Sequence, residues 1–265
     1  MDTGMIDNAM APLIRALARN RFLPVPPSDL VQCGDGDFRA IGAEFLGHFI
    51  AHGGLRHDAR VLEIGCGVGR MALPLTQYLS DDATYDGIDV DARAVAWAAA
   101  TITPLYPNAR FTHLDVAHPL YNPHGARAAG SVRLPYADSA FDFIALVSVF
   151  THLDAEALAR YAAECARLLA PGGRCFATAF LLNPPARAAL RAAQGRLAFA
   201  PDDPAPVQYA DPAAPLAAVA FDEDFFVEKF LRAGLRRLVP ARYGHWSGRP
   251  APVFQDICVF EPGAP

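Results

Sequence analysis

The chain has 265 residues, half of them apolar and a fifth charged, and a net charge of −5. That length supports one substantial core, the composition is that of a globular protein, and the acidic balance leaves no electrostatic footprint for nucleic acid. Five cysteines without a CxxC pair or zinc-like spacing, a start without a signal-peptide pattern and no apolar run of roughly 18 residues set the expectation of a soluble cytoplasmic protein with reduced thiols and no membrane or metal partner.

In chain order, the first element is a helix from Asp37 to Ala51 with Phe38, Ile41, Phe45 and Phe49 on one face. From Arg60 onward short apolar runs alternate with helical spacing. Val61 to Ile64 reads as a strand, and Met71 to Leu79 as a helix. Pro74 is expected in that helix's first turn or at a kink, because an interior proline costs about 3 kcal/mol. Tyr85 to Asp89 is a second strand, Asp91 to Thr103 a helix stopping before Pro104, and Arg110 to Leu114 a third strand. Phe141 to Ser148 suits a strand buried on both faces. Asp154 to Ala170 carries Leu158, Tyr161, Cys165 and Leu168 as a helical stripe, stopped by Pro171-Gly172-Gly173, and Arg174 to Leu182 is a fifth strand.

Residues 184–221 are rich in proline and alanine, and are either disordered or a functional cover at the carboxyl edge of the sheet. A helix near Asp222 to Ala233 follows, then strands near Leu235 to Arg242 and Val253 to Phe260, with Pro240 fitting an edge strand. Strands and helices alternating at these lengths imply right-handed βαβ units, hence an α/β fold with a mostly parallel, doubly wound sheet.

The chemistry is concentrated in "VLEIGCGVGR", residues 61–70. A glycine loop between a strand and a helix lets backbone N–H groups approach a ligand. The dinucleotide pattern G-x-G-x-x-G fails here because Arg70 occupies its third glycine position, which speaks against a nicotinamide oxidoreductase; no Gly-Lys-Ser/Thr follows, which excludes a P-loop. What remains is E-x-G-x-G-x-G, with Glu63 two residues before Gly65. Asp89 ends the second strand, where a carboxylate can accept from both ribose hydroxyls. Asp115 ends the third, either to meet an adenine amine or as a turn residue. Three acids at the carboxyl ends of successive strands suit a ligand with a ribose, an adenine and a cationic end.

With "YDGIDVD", "LPYADSAFDFIALVSVFTHL" and "ECARLLAPGGR" in this order, residues 55–182 resemble the class I S-adenosylmethionine-dependent methyltransferases. The resemblance implies a Rossmann-like, seven-stranded sheet whose last strand is antiparallel. It implies S-adenosylmethionine as cofactor and S-adenosylhomocysteine as product. The loop of Gly65, Cys66, Gly67 and Gly69 would wrap the methionine part, Asp89 with Val90 the ribose, and Asp115 with Val116 the adenine. Glu63 would support the loop or the methionine amine, and Ser148 would face the cofactor after the fourth strand.

Methyl transfer is an in-line displacement for which the protein supplies alignment and, for a hydroxyl acceptor, a base. His152, just after the fourth strand, is the candidate base, titrating near neutrality; the alternative is that it caps the helix behind it. Asn183-Pro184-Pro185 resembles the N-P-P-aromatic motif of nucleic-acid and protein amine methyltransferases, but follows the fifth strand and continues with Ala186. Phe38, Tyr136, Phe150, Asn183, Tyr243, Trp246 and Arg249 are the candidate acceptor-binding residues, on weaker likeness to bacterial methyltransferases of sugar or secondary-metabolite hydroxyls. The expected organisation is an N-terminal helical cap over residues 1–58 contributing to the acceptor site, and a methyltransferase domain over 59–265 with a cap insertion at 184–221. The expected reaction is O-methylation of a small molecule or glycan, with N-methylation of a small amine or a non-catalytic cofactor-binding module as alternatives.

Overall fold

The structure is a computed structural model describing residues 10–31, 36–192 and 197–263. Cys33 and parts of both flanking regions discussed above lie outside the described residues; the described cysteines Cys66, Cys165, Cys175 and Cys258 are free and buried.

Seven described helices are α1 (Ala11–Ala18), α2 (Phe38–Ala51), α3 (Ala72–Leu75), α4 (Ala92–Thr101), α5 (Ala155–Leu168), α6 (Pro184–Arg191) and α7 (Glu223–Arg232). Ten described strands are β1 (Arg60–Ile64), β2 (Thr84–Asp89), β3 (Ala109–His113), β4 (Phe141–Leu146), β5 (Leu169–Ala179), β6 (Leu181–Leu182), β7 (Val207–Tyr209), β8 (Val219–Asp222), β9 (Leu235–Arg237) and β10 (Asp256–Pro262). Seven form one sheet in the order β3-β2-β1-β4-β5-β10-β9, and β6-β8-β7 form a second. In the large sheet β10 runs antiparallel to both its neighbours, β5 and β9, and the other pairs are parallel.

Side-chain alternation along the central strands divides the core in two. Val61, Phe143, Ala145, Phe176, Ile257 and Val259 point to the face covered by α2, α3 and α4. Leu62, Ile64, Ile144, Leu146, Cys258 and Phe260 point to the face covered by α5 and α7. The N-terminal helices therefore share the core of the sheet, with Leu17, Leu46 and Phe49 in the same cluster as Val61.

Helix starts follow local chemistry. Asp37, Asp91, Asp154, Asn183 and Asp222 each accept a backbone N–H of the following first turn. Each such cap is worth about 1 kcal/mol.

The strand expected near Leu235 to Arg242 is confined to Leu235–Arg237, so Pro240 lies outside it, and the one expected near Val253 to Phe260 is Asp256–Pro262. Two further elements differ from the sequence expectation. The regular part of the helix expected over Met71 to Leu79 is the single turn α3. Beyond it the bonding tightens to i→i−3 from Gln77 N–H to the Pro74 carbonyl. Pro74 sits in that first turn, where its missing N–H leaves the Arg70 carbonyl facing α2. A Cβ on Gly42 would come within 2.4 Å of that oxygen, so the close approach requires glycine. The second difference is the fifth strand. Pro171-Gly172-Gly173 lies inside β5 as a register shift opposite Phe141 and Phe143, with Gly172 at φ +77°, and the strand ends at Ala179. Leu181 and Leu182 belong to the second sheet.

Residues 184–221 are an ordered cap over their described part, built from α6, β7 and β8. Phe180, Leu182, Ala186, Phe199, Ala220 and Trp246 form its core. Trp246 is fully buried, packs on Phe180 and Phe199, and donates its indole N–H to Asp256 Oδ2 at 2.8 Å. It cannot stack on an acceptor, because the ring is fully buried and its N–H is committed to Asp256. Asp256, wholly buried, also accepts from Gly244 N (2.6 Å), Leu181 N (2.7 Å) and Arg249 Nη2 (3.2 Å). One carboxylate thus fastens the cap to β10.

If Trp246 is a structural anchor, Trp246→Ala will lower unfolding free energy by about 3–5 kcal/mol. Trp246→Phe, which keeps a ring but loses the bond to a charged group, will cost about 1.5–3 kcal/mol. Urea unfolding measures both. Wild-type stability in Trp246→Phe would contradict the assignment.

Candidate active site

The strand order reverses between β1 and β4, and in open α/β sheets the crevice outside the carboxyl ends at such a point binds ligands. The loop leaving β1 there is the glycine stretch. Gly65, Gly67 and Gly69 have φ of +79°, +49° and +78°. Gly65 is also crowded, since a Cβ there would lie 2.5 Å from Val149 Cγ2, on the segment after β4. Gly67 is the opposite: a Cβ there would meet nothing within 4 Å.

Asp89 ends β2 and locks this loop. Its Oδ2 accepts the Gly67 N–H at 2.7 Å and its Oδ1 accepts the Asp91 N–H at 2.8 Å. Burial pushes its carboxyl above the usual range, opposed by those two N–H groups. Asp91 is separately the N-cap of α4, bonding Arg93 N and Ala94 N. Val90 presents its carbonyl to His113 Nε2 at 3.1 Å.

Glu63 is buried beneath the loop and accepts the Tyr85 O–H at 2.5 Å. Burial raises its carboxyl to about 8, more than the Tyr85 bond lowers it. Cys66 turns its thiol inward against Gly87, and burial pushes that thiol up. Its N–H bonds the Ile88 carbonyl, so Cys66 supports the loop from beneath. Asp115 is exposed after β3, with Oδ1 accepting Asn122 Nδ2 (3.3 Å) and Ala126 N (3.2 Å). Val116 is buried and bridges to Arg127. Ser148 follows β4 with φ +60°, half-buried beside Val149.

His152 ends a short 3-10 turn, Phe150–His152, behind Ser148. Its Nδ1 lies 3.0 Å from the Leu216 carbonyl and its Nε2 3.5 Å from the Tyr121 hydroxyl. A carbonyl only accepts, so Nδ1 carries the proton and Nε2 keeps its lone pair. Burial lowers its pKa below 6.5. His118 Nε2 bonds the His152 carbonyl at 2.9 Å and stacks on Tyr121, so these two residues, missed as site candidates, frame the imidazole.

The acceptor candidates divide. Phe38 lies next to the glycine loop, under the Arg70 guanidinium at 5.4 Å. Phe150 is fully buried against Phe226 and Phe230, which removes it from any ligand surface. Tyr136 packs edge-on against Phe141, the first residue of β4. Arg249 is spent on Asp256, the Gly244 carbonyl and the Tyr243 ring, and so is not free to hold an anion. Asn183 and Tyr243 both bond Glu223 and line a cavity of about 480 Å³ with Arg187 and Asp222, between the starts of α6 and α7. That cavity belongs to the cap; none of the glycine-loop residues lines it. Glu223 is a polar hub hidden to sequence reading, because its partners Asn183, Arg237 and Tyr243 are scattered along the chain.

The residues fit an S-adenosyl ligand: a bare backbone at Gly67 opens beside an acceptor carboxylate at Asp89, where the ribose hydroxyls would donate. Gly65, Gly67 and Asp89 would hold the group, with Glu63 beneath.

Two stability predictions follow from this geometry. Gly65→Ala combines left-handed strain with a 2.5 Å clash and will destabilise far more than Gly67→Ala, which carries only the roughly 1–2 kcal/mol of backbone strain. Equal losses in urea unfolding would contradict the loop geometry. Glu63 has its folded pKa raised from 4.5 to about 8, so between those values the folded state keeps a proton that the unfolded chain has lost. Stability from this site is therefore full below pH 4.5 and declines as pH rises through about 8. Glu63→Gln, which cannot ionise, will flatten that slope; an unchanged slope would place the proton elsewhere.

Comparison with known proteins agrees with the geometry. Residues 61–173 match the methyltransferase-domain family. An uncharacterised protein of Haemophilus influenzae is 29% identical over 144 residues, 54% of this chain and 51% of that one, so the chain spans about half the length of that curated relative. A protein of Pyrococcus horikoshii OT3 superposes with TM-score 0.59 at 14% identity, covering 88% of this chain and 94% of that one. A SAM-dependent methyltransferase of Methanosarcina mazei superposes with TM-score 0.55 at 20% identity, covering 82% and 98%. At these identities the two structures show a shared fold. Residues 61–173 are thus similar in sequence to a methyltransferase domain, and the chain shares the fold of these structures.

Proposed function

We propose that this chain transfers a methyl group from S-adenosylmethionine to a hydroxyl of a small molecule or glycan, with His152 as general base. The observation that carries the reading is the 3.0 Å contact of His152 Nδ1 with the Leu216 carbonyl, which assigns the proton to Nδ1 and the lone pair to Nε2, after the carboxyl end of β4. The bound cofactor supplies an electrophilic methyl on a sulfonium; the chain's residues do the rest.

Asp89 and the glycine loop orient the adenosyl end. Tyr121 meets the His152 ring at Nε2, the Leu216 carbonyl of the cap holds it at Nδ1, and His118 bonds the His152 main-chain carbonyl. Burial keeps the ring neutral at physiological pH. Nε2 faces the Tyr121 O–H across 3.5 Å, and an acceptor hydroxyl that displaces this long contact gives its proton to Nε2 as its oxygen attacks. That the cap reaches His152 through Leu216 favours an acceptor small enough to sit beneath a roof, and the acidic net charge argues against nucleic acid.

Methyl transfer to hydroxyl-bearing small molecules and saccharides tests the reading, with transfer to amines as the contrary outcome. His152→Ala will lower kcat by about 10²–10⁴-fold while S-adenosylhomocysteine affinity stays near wild type. The wild-type rate will fall on the acid side with an apparent pKa below 6.5, because protonation removes the base form, and this limb will vanish in the variant. An acid limb that persists in His152→Ala would exclude His152 as the base. Asp89→Ala will weaken S-adenosylhomocysteine by about 1.5–3 kcal/mol, the worth of hydrogen bonds to a charged group. Unchanged affinity in calorimetry would remove its ribose role.

A further inference from the structure

Ser148 occupies the left-handed region at φ +60°, uncommon for a residue with a side chain and frequent at functional sites. A closed ring of hydrogen bonds holds it there. Its N–H donates to Thr178 Oγ1 at 2.8 Å, on the wholly buried Thr178 of β5. Thr178 Oγ1 lies 2.5 Å from Gln255 Oε1, and Gln255 Nε2 lies 2.9 Å from Ser148 Oγ. These lengths assign the atoms: 2.5 Å fits O–H···O and is too short for N–H···O, whereas 2.9 Å is an ordinary N–H···O bond.

The direction of the ring has a consequence. Thr178 spends its one proton on the Gln255 carbonyl, which turns the amide nitrogen toward Ser148. Ser148 Oγ therefore accepts from the protein, and among the described residues its own proton has no acceptor. That proton is left at a half-buried position adjoining Val149, which stands over Gly65 of the glycine loop. The methionine end of S-adenosylmethionine carries an ammonium, which only donates, and a carboxylate, which only accepts. A hydroxyl proton in need of an acceptor complements the carboxylate.

We propose that Gln255, oriented by Thr178, holds the Ser148 hydroxyl as a hydrogen-bond donor to the methionyl carboxylate of the cofactor. Gln255 and Thr178 are then positioning residues, acting on the ligand through Ser148. The inference rests on the crevice being an S-adenosylmethionine site.

Gln255→Glu is close in shape, but both its oxygens accept, so it draws the Ser148 proton inward. Calorimetry with two probes reads the effect: S-adenosylhomocysteine, which carries the carboxylate, and 5′-methylthioadenosine, which lacks the amino-acid end. Ser148→Ala, Gln255→Glu and Thr178→Val will each weaken S-adenosylhomocysteine about tenfold, leave 5′-methylthioadenosine unchanged, and thereby show an intact site. Thr178→Ser, which restores the orienting proton, will bind like wild type. The Ser148→Ala/Gln255→Glu double variant will be no weaker than the single ones, whereas simple charge repulsion by Glu would add to the loss. Equal weakening of both probes, additive losses, or no loss in Thr178→Val would overturn the proposal while leaving the site's identity standing. A wild-type protein that binds neither probe would remove the reading of the crevice itself.

Discussion

The carboxylate of Asp89 ties two successive units of the chain together. With one oxygen it holds the Gly67 N–H in the loop after β1, and with the other the Asp91 N–H at the start of α4. A loop with three glycines has many backbone conformations open to it, and the carboxylate holds one of them. The arrangement sits where the strand order reverses, so the backbone laid bare by the glycines faces the crevice between β1 and β4. Burial opposes the charge on Asp89 and the two N–H groups sustain it. A group so placed accepts hydrogen bonds, and a ligand that fits it must bring donors, as vicinal ribose hydroxyls do.

A second carboxylate organises the cap. Asp256 gathers Leu181, Gly244, Trp246 and Arg249, and burial raises it to about 6 despite those four donors. It therefore commits the aromatic and cationic side chains that would otherwise look available to an acceptor. What the cap contributes to the site is main chain: the Leu216 carbonyl on His152. The cap and the glycine loop meet β4 from two sides, and Ser148 to His152 is the segment between them.

The sequence was most legible where the signal is local. Asp37, Asp91 and Asp154 mark helix starts within three residues of the N–H groups they bond, and the alternation of Val61 with Leu62 reflects the two faces of one sheet. The glycine spacing and the acid at position 89 were legible because backbone approach and strand ends impose them. Phe150 and Trp246 were misread because aromatic character alone does not distinguish a core wedge from a ligand platform. Arg249 was misread because its partner Asp256 is brought to it by a turn rather than by helical or strand spacing. Short strands such as β6 and β7, set among prolines, carry too few residues to show a period. The Ser148–Gln255 bond joins residues 107 positions apart, which no local pattern encodes.

The most direct test of the central claim is a crystal structure of the protein soaked with S-adenosylhomocysteine. The account predicts the adenosine lying across the carboxyl ends of β1, β2 and β3, with both ribose hydroxyls at hydrogen-bond distance, about 2.5–3.0 Å, from Asp89. Density for the compound in the cavity between α6 and α7, with the glycine loop bare at saturating concentration, would contradict it.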